Sequence, residues 1–257
     1  MFEPFMREPW AVVTLVALAA GMVGYFVALR GAGFAAHALP MAAFPGAAFA
    51  ALTGVSAYAG LAGFAVLGAL VLAWLRARQD AATALVLGGL MALGALFLSL
   101  SGAYGNQVEG LLFGQVFAVG RGEVWAALAL ALGVAALLLG LARPLTLSAL
   151  APELFALSGG RTGLMEAVFL LIVALAAALC LPVTGALLAF SLMAGPGAAA
   201  CLLARRPGVA LGLSVALALG IGWGSMAAAY ESGWPVGFFV GAFTALVYVA
   251  ARGLRRG

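Results

Sequence analysis

The chain has 257 residues, 66% of them apolar and only 8% charged, with a mean hydropathy of +1.21. Soluble domains carry about 25% charged residues, so this composition describes a polytopic membrane protein and excludes soluble enzymes and nucleic-acid-binding modules. The net charge of +4 and pI of about 9.6 come from 12 arginines set against 8 acids, and so reflect few charges rather than a basic binding face.

About 20 apolar residues cross a bilayer core, and on that ruler the chain divides into nine predicted spans: 10–29, 33–52, 55–75, 81–100, 124–142, 164–181, 185–204, 208–230 and 236–251. Residues 1–9 hold Glu3, Arg7 and Glu8, and no short apolar core with a small-residue cleavage site follows, so the first run is expected to stay in the membrane. The weakest members are the second span, interrupted by Pro40 and Pro45, and the short ninth; the expectation is therefore an all-α protein of eight to nine transmembrane helices. The whole chain, 1–257, is expected to form one transmembrane domain.

Two connections are long. The first, 102–123, contains an apolar piece at 111–119 that is too short to span and is expected to be re-entrant or to lie as a surface helix on the protein. The second, 143–162, contains Pro152, Glu153, Leu154, Phe155, Ala156, Leu157, Ser158, Gly159 and Gly160. Proline in a first turn and glycine past a last turn bracket a short helix, which either rests on the lipid headgroups or docks a partner. The 36 glycines are spread through the spans, and rows such as Gly60, Gly63 and Gly68, or Gly208, Gly212, Gly220 and Gly224, predict close helix packing.

Orientation follows from arginine. With the N-terminus outside, Arg30, Arg76, Arg78, Arg143, Arg161, Arg205, Arg206, Arg252, Arg255 and Arg256 face the cytoplasm, leaving only Arg7 and Arg121 outside. Positively charged residues concentrate on the cytoplasmic side. The N-terminus is therefore expected outside and the C-terminus in the cytoplasm, with 143–162 an inner loop and 102–123 an outer one.

The residue inventory removes several chemistries. No lysine is present, so the polypeptide has no Walker A phosphate loop and no Schiff-base lysine, and it cannot hydrolyse ATP alone. A single histidine, His37, excludes a multi-histidine metal cage. Cys180 and Cys201 lack C-x-x-C spacing and read as small buried hydrophobes. All eight acids map to span ends or loops, whereas ion-driven carriers generally need a carboxylate at mid-membrane. No nucleophile and base pair is visible within a span, so an enzyme is disfavoured, while a passive membrane scaffold stays open.

The second span carries the strongest local signal, residues 31–46, with His37, Pro40, Met41, Pro45 and Gly46. Each proline removes a backbone donor and clashes with the preceding turn, so the helix is expected to bend or open there, lining a cavity. His37 and Met41 are four apart and share a helical face, and both offer a soft lone pair to a transition metal. The alternative is that His37 bonds a neighbouring carbonyl and Met41 fills a gap.

This segment resembles the second helix of the permease subunits of bacterial zinc and manganese (metal-chelate-type) ABC importers, which typically reads Gly-Asp-Ala-Leu-Ser-His-Ala-Val-Leu-Pro-Gly and lies over residues 36–46. Further likenesses follow in the same order: Phe5-Met6-Arg7, Ala92-Leu93-Gly94 through Ser99-Leu100-Ser101, Leu112-Phe113-Gly114-Gln115-Val116, and Gly185 through Ala200. Together they cover more than two hundred residues. The resemblance implies a type II ABC importer permease fold in a bacterial inner membrane, no catalytic site of its own and no permanently bound cofactor. It also implies a second permease copy in a homo- or heterodimer, cytoplasmic ATPase subunits, an extracytoplasmic solute-binding protein and a divalent metal ion as cargo. By the same resemblance Pro152, Glu153, Leu154, Phe155, Leu157 and Gly159 form the coupling helix, His37 and Met41 hold the metal-contacting positions, and Pro40, Pro45 and Gly46 mark the kink of the gate. The departure from the family is chemical, since Asp and His become His37 and Met41: softer donors imply a selectivity shifted away from manganese, and the competing reading is that this branch has lost the metal contact and moves something else. Alternatives are a permease for a larger chelate such as a siderophore, haem or corrinoid, and a non-transporting scaffold.

Overall fold

The computed structural model describes residues 6–75, 80–101, 110 and 114–256. Glu3, Arg76, Arg78, the Phe5 and Leu112-Phe113 matches, and most of the connection 102–113 lie outside the described residues. Among the described residues every regular element is helical: α1 (Arg7–Arg30), α2 (Gly33–Thr53), α3 (Ala57–Trp74), α4 (Asp80–Ser101), a 3₁₀ turn (Val116–Ala118), α5 (Arg121–Leu150), α6 (Pro152–Leu157), α7 (Thr162–Leu203), α8 (Pro207–Ser232) and α9 (Val236–Arg256).

Eight of the described helical segments are long and apolar enough to cross a membrane, and a shorter apolar helix, Leu188–Leu203, accompanies them. That short helix is the second half of α7. Gly185, at φ 74° and ψ 166°, leaves helical geometry and separates it from the half Thr162–Ala186. The two halves run in opposite directions. The first begins near Arg30, whose guanidinium lies 4.8 Å from the Phe169 ring, and ends where Pro182 accepts a hydrogen bond from the 3₁₀ turn. The second returns, bringing Gly197 against Gly24, two turns before the end of α1. Its 16 residues rise about 24 Å, just short of the ~30 Å hydrocarbon core. The short span is therefore the seventh, whereas the second and ninth, expected to be the weak ones, are full-length helices of 21 residues each.

Contacts far apart in sequence sort the helix ends. At one end the Arg121 Nε lies 3.3 Å from a Glu8 carboxylate oxygen, pairing the starts of α1 and α5. At the other, Arg30 donates to the Leu145 carbonyl (3.4 Å) and to the Ser148 hydroxyl, pairing the ends of the same helices. Following each helix from these anchors places Arg7 and Arg121 at the first end, and Arg30, Arg143, Arg161, Arg205, Arg206, Arg252 and Arg255 toward the second.

Helix α7 is the centre of the packing, and α1 packs against it and against α5 and α8. The approach of α1 is close enough to need glycine: a Cβ on Gly24 would lie 2.1 Å from the Met193 carbonyl oxygen, and the buried Ser214 hydroxyl donates to the Gly21 carbonyl at 2.6 Å. Of the glycine rows predicted to pack, Gly60, Gly68 and Gly224 do so, while Gly63, Gly208, Gly212 and Gly220 face open space. The inner connection is also shorter than expected. Instead of ending near Ala142, α5 continues through Pro144 to Leu150, because Leu145 is fully buried and the Thr146 hydroxyl bonds the Ala142 carbonyl at 2.7 Å.

Candidate functional site

Helix α2 is buried along most of its length against α3, α4 and α7. It reaches them through small residues. A Cβ on Gly46 would sit 2.1 Å from the Gly60 carbonyl oxygen and one on Gly60 would sit 2.2 Å from that of Gly46, so the α2 and α3 backbones touch. Gly46 thus serves close approach, with no hinge at this point. Gly68 receives the Ala42 methyl in the same way, and Gly94 of α4 receives the Phe44 ring.

One stripe of α2 is left uncovered. Phe34 and His37 are exposed and Met41 is half-buried, whereas the intervening Ala36, Ala38, Leu39 and Pro40 are buried. These three positions follow helical spacing, i, i+3 and i+7, and lie on one face. The imidazole of His37 meets the ring of Phe190 edge-on, with centroids 5.5 Å apart and planes at 87°. Phe190 belongs to the returning half of α7, so the break at Gly185 delivers it to this stripe. The expected sharing of a face by His37 and Met41 is observed. The expected opening of the helix at Pro40 and Pro45 is not: α2 runs as one helix through both prolines. Packing of the surrounding residues holds the helix, while each proline still withholds an N–H, so the carbonyls of Ala36 and Met41 have no intrahelical donor.

The break in helical geometry lies in α7, at Gly185. The signal was present in Pro182-Val183-Thr184-Gly185, where a proline, a β-branched pair and a glycine adjoin. The Thr184 hydroxyl bonds the Cys180 carbonyl at 3.1 Å, and the 3₁₀ turn closes over the break, Gln115 donating its N–H to the Pro182 carbonyl at 2.9 Å. Gly114, at φ 83°, comes so near that a Cβ would lie 2.2 Å from the Val183 carbonyl oxygen. The described part of the apolar piece 111–119 is thus a tight turn seated on α7, with Val116 buried. On one side of this turn lies a hollow of about 760 Å³, bordered by Gln115, Phe117, Tyr230 and Trp234. On the other lies one of about 310 Å³, bordered by Gln115, Glu123 and Pro182.

At the arginine-rich end, α6 projects between α5 and α7. Pro152, Glu153, Leu154 and Leu157 are exposed, and Phe155 turns inward. Phe155 fits because Gly160 has no side chain: a Cβ there would lie 2.5 Å from the ring. Gly159 takes a left-handed conformation, φ 85°, and the Gly160 N–H closes the turn onto the Phe155 carbonyl at 2.9 Å. The helix is therefore a rigid knob with one acidic and two leucine side chains outward. The Gly159-Gly160 pair marked the end of this helix in the sequence, while the seating of the Phe155 ring on Gly160 is a tertiary contact.

The family model described as the ABC 3 transport family matches residues 2–253. The "Manganese transport system membrane protein MntC" of Halalkalibacterium halodurans is 28% identical over 152 residues, 58% of this chain and 52% of that protein. The "Manganese import system permease protein ScaB" of Streptococcus parasanguinis is 24% identical over 154 residues, 58% and 55% of the two chains. The matches span about half the length of these curated relatives. Among solved structures, a chain of PsaBC from Streptococcus pneumoniae in complex with Fab superposes with a TM-score of 0.88 at 18% identity, covering 97% of this chain and 91% of that one. At that identity the likeness is one of fold.

Proposed function

Since the chain belongs to the ABC 3 transport family, we propose that it is the membrane-spanning permease of an ATP-driven importer, and that its cargo is a divalent transition metal ion. Two curated relatives are named for manganese transport or import, and the superposition extends over nearly the whole chain. The observation that carries the proposal is the stripe on α2. Between Ala36 and Ala48 of α2, the chain's single histidine and a methionine one turn on are the side chains not buried, and the histidine meets Phe190 of the returning half of α7. A second permease copy, identical or not, would cover this stripe and turn it into the wall of a pathway. Imidazole and thioether suit zinc, copper or iron better than manganese.

The arginine-rich end faces the cytoplasm on this account, in keeping with the positive-inside rule, which puts α6 where ATPase subunits would dock. The end bearing Glu8 and Arg121 would meet a solute-binding protein. Motion comes from an outward-open and an inward-open state whose balance nucleotide binding shifts through α6. The residues of α2 bind and release cargo without chemistry.

Uptake of radiolabelled zinc, manganese and iron in cells expressing the full system, with His37→Ala beside the native chain, tests the role of His37. Uptake of at least one ion should fall in the variant, and unchanged uptake of all of them would remove His37 as a ligand. One observation favours a chelated metal as a second reading: the 760 Å³ hollow bordered by Phe117, Tyr230 and Trp234 is far larger than a bare ion needs. Competition between the free ion and its chelates for uptake separates the two.

A further inference from the structure

The importer function leaves open how α6 reaches α2. The two do not pack together: α2 rests on α3, α4 and α7, whereas α6 is carried by α5 and touches the start of α7. We propose that Arg30 is the positioning residue that links them, converting displacement of α6 into displacement of the start of α2.

On the α6 side the connection is short and stiff. Only Ala151 separates α5 from α6, and it belongs to both hydrogen-bond ladders: its N–H donates to the Leu147 carbonyl at 2.9 Å and its carbonyl accepts from Phe155 at 3.0 Å. Force on α6 therefore reaches the last turns of α5. Those turns hold the Leu145 carbonyl and the Ser148 hydroxyl to which Arg30 donates, more than a hundred residues away in sequence. The other end of α6 leads after four residues into α7, whose Phe169 ring lies 4.8 Å from the Arg30 guanidinium carbon, and Glu166, a turn earlier, is within electrostatic reach. Both chain paths leaving α6 converge on one guanidinium.

On the α2 side the link is equally short. Arg30 is the last residue of α1, and the turn after it is fixed by Gly31 in the left-handed conformation, by Gly31 N–H to Ala28 O at 3.3 Å and by Ala32 N–H to Val27 O at 3.0 Å. The Ala32 carbonyl then accepts from Ala36 at 3.1 Å and opens α2. Such a glycine-capped corner moves as a unit, and His37 stands seven residues from Arg30.

To complement the end of its own helix an arginine needs no partner on another helix. Here it turns inward, and its Nε is buried without a partner. A buried donor left unpaired in one arrangement calls for an explanation, and a linkage with two positions supplies one: the spare N–H is taken up when the helix ends shift. A planar, five-donor head over an aromatic face suits this task as lysine would not.

The proposal rests on the importer function above. Its test uses the assembled complex of this chain with its ATPase subunits in proteoliposomes, together with its solute-binding protein and supplied with zinc(II) and manganese(II), reading ions moved per ATP hydrolysed. Arg30→Met keeps the length and the apolar contact with Phe169. The complex should assemble and hydrolyse ATP, while ions moved per ATP fall about fivefold or more, the lower end of ordinary coupling energies. Arg30→Lys should restore part of the ratio. An unchanged ratio in an Arg30→Met complex that assembles would overturn the proposal. If Arg30→Met does not assemble, Ser148→Ala and Phe169→Leu decide, each expected to lower the ratio, and an unchanged ratio in both overturns it. Absence of ATP-dependent uptake by the native complex is a different result, and it would refute the importer function itself.

Discussion

Replacing Gly46 by alanine tests whether α2 is held by backbone contact or bends at this point. The added Cβ would lie 2.1 Å from the Gly60 carbonyl oxygen, 2.5 Å from its carbonyl carbon and 2.9 Å from the Leu61 nitrogen. An ordinary contact begins near 3.4 Å, so the helices must part by roughly 1 Å, and no flexible side chain is available to yield. Overpacking of this kind costs about 1–3 kcal/mol, which for a chain of this length lowers the melting temperature by roughly 2–12 °C. Thermal unfolding in detergent, followed by the fraction of monodisperse protein, reads the change. Gly63→Ala is the control, because its Cβ meets nothing within 4 Å, and the gain in helix propensity is at most ~1 kcal/mol. The reciprocal Gly60→Ala would place a Cβ 2.2 Å from the Gly46 carbonyl oxygen. Once the helices have parted for one methyl they accommodate the other, so the double variant should lose less than the sum of the singles. A Gly46→Ala protein as stable as Gly63→Ala, or strict additivity in the pair, would refute close backbone contact as the role of Gly46.

Two further outcomes follow from the same geometry. Glu153→Arg, or deletion of residues 152–157, should leave the spans folded, as judged by unfolding in detergent, while abolishing ATP-driven uptake; normal import by either variant would show that α6 docks nothing. Gly114→Ala combines a left-handed φ of 83° with a Cβ 2.2 Å from the Val183 carbonyl oxygen, and should cost about 1–3 kcal/mol, whereas Gly120→Ala, which faces open space, should melt as the native chain does.

What the sequence revealed, and what it hid, divides along physical lines. Spans were legible because lipid demands long apolar runs whatever their packing, and the arginine split sorted the helix ends because that bias is local to each loop. The short helix at Pro152 was legible from its own punctuation. Pro40 and Pro45 lie inside a continuous α2, and Pro144 inside α5, because the cost of a proline is a local quantity that burial of neighbours such as Leu39 and Leu145 outweighs. Pro182 lies beside the real break because Gly185 is at hand to take a positive φ. The partners that position the stripe and the knob, Phe190 beside His37 and Gly160 beneath Phe155, belong to the tertiary arrangement. The inward turn of Arg30 was hidden for the same reason, since its partners lie 115 and 118 residues away.

The donors on α2 bear on what such a pathway selects. His37 brings imidazole and Met41 thioether, so both donors this stripe can offer are neutral when the imidazole is deprotonated. A divalent ion that sheds water there exchanges hydration for dipoles alone, with no anionic oxygen to offset the desolvation. On the proposed function the stripe is therefore a weak site through which cargo passes quickly, and discrimination shifts to the protein that delivers the ion, or to a chelating group that travels with it and carries the compensating charge. Changing Met41 to aspartate restores an anion one turn from His37, and it should raise metal retention in the purified complex while slowing turnover. Faster import with greater retention would mean that this stripe is not where the ion pauses.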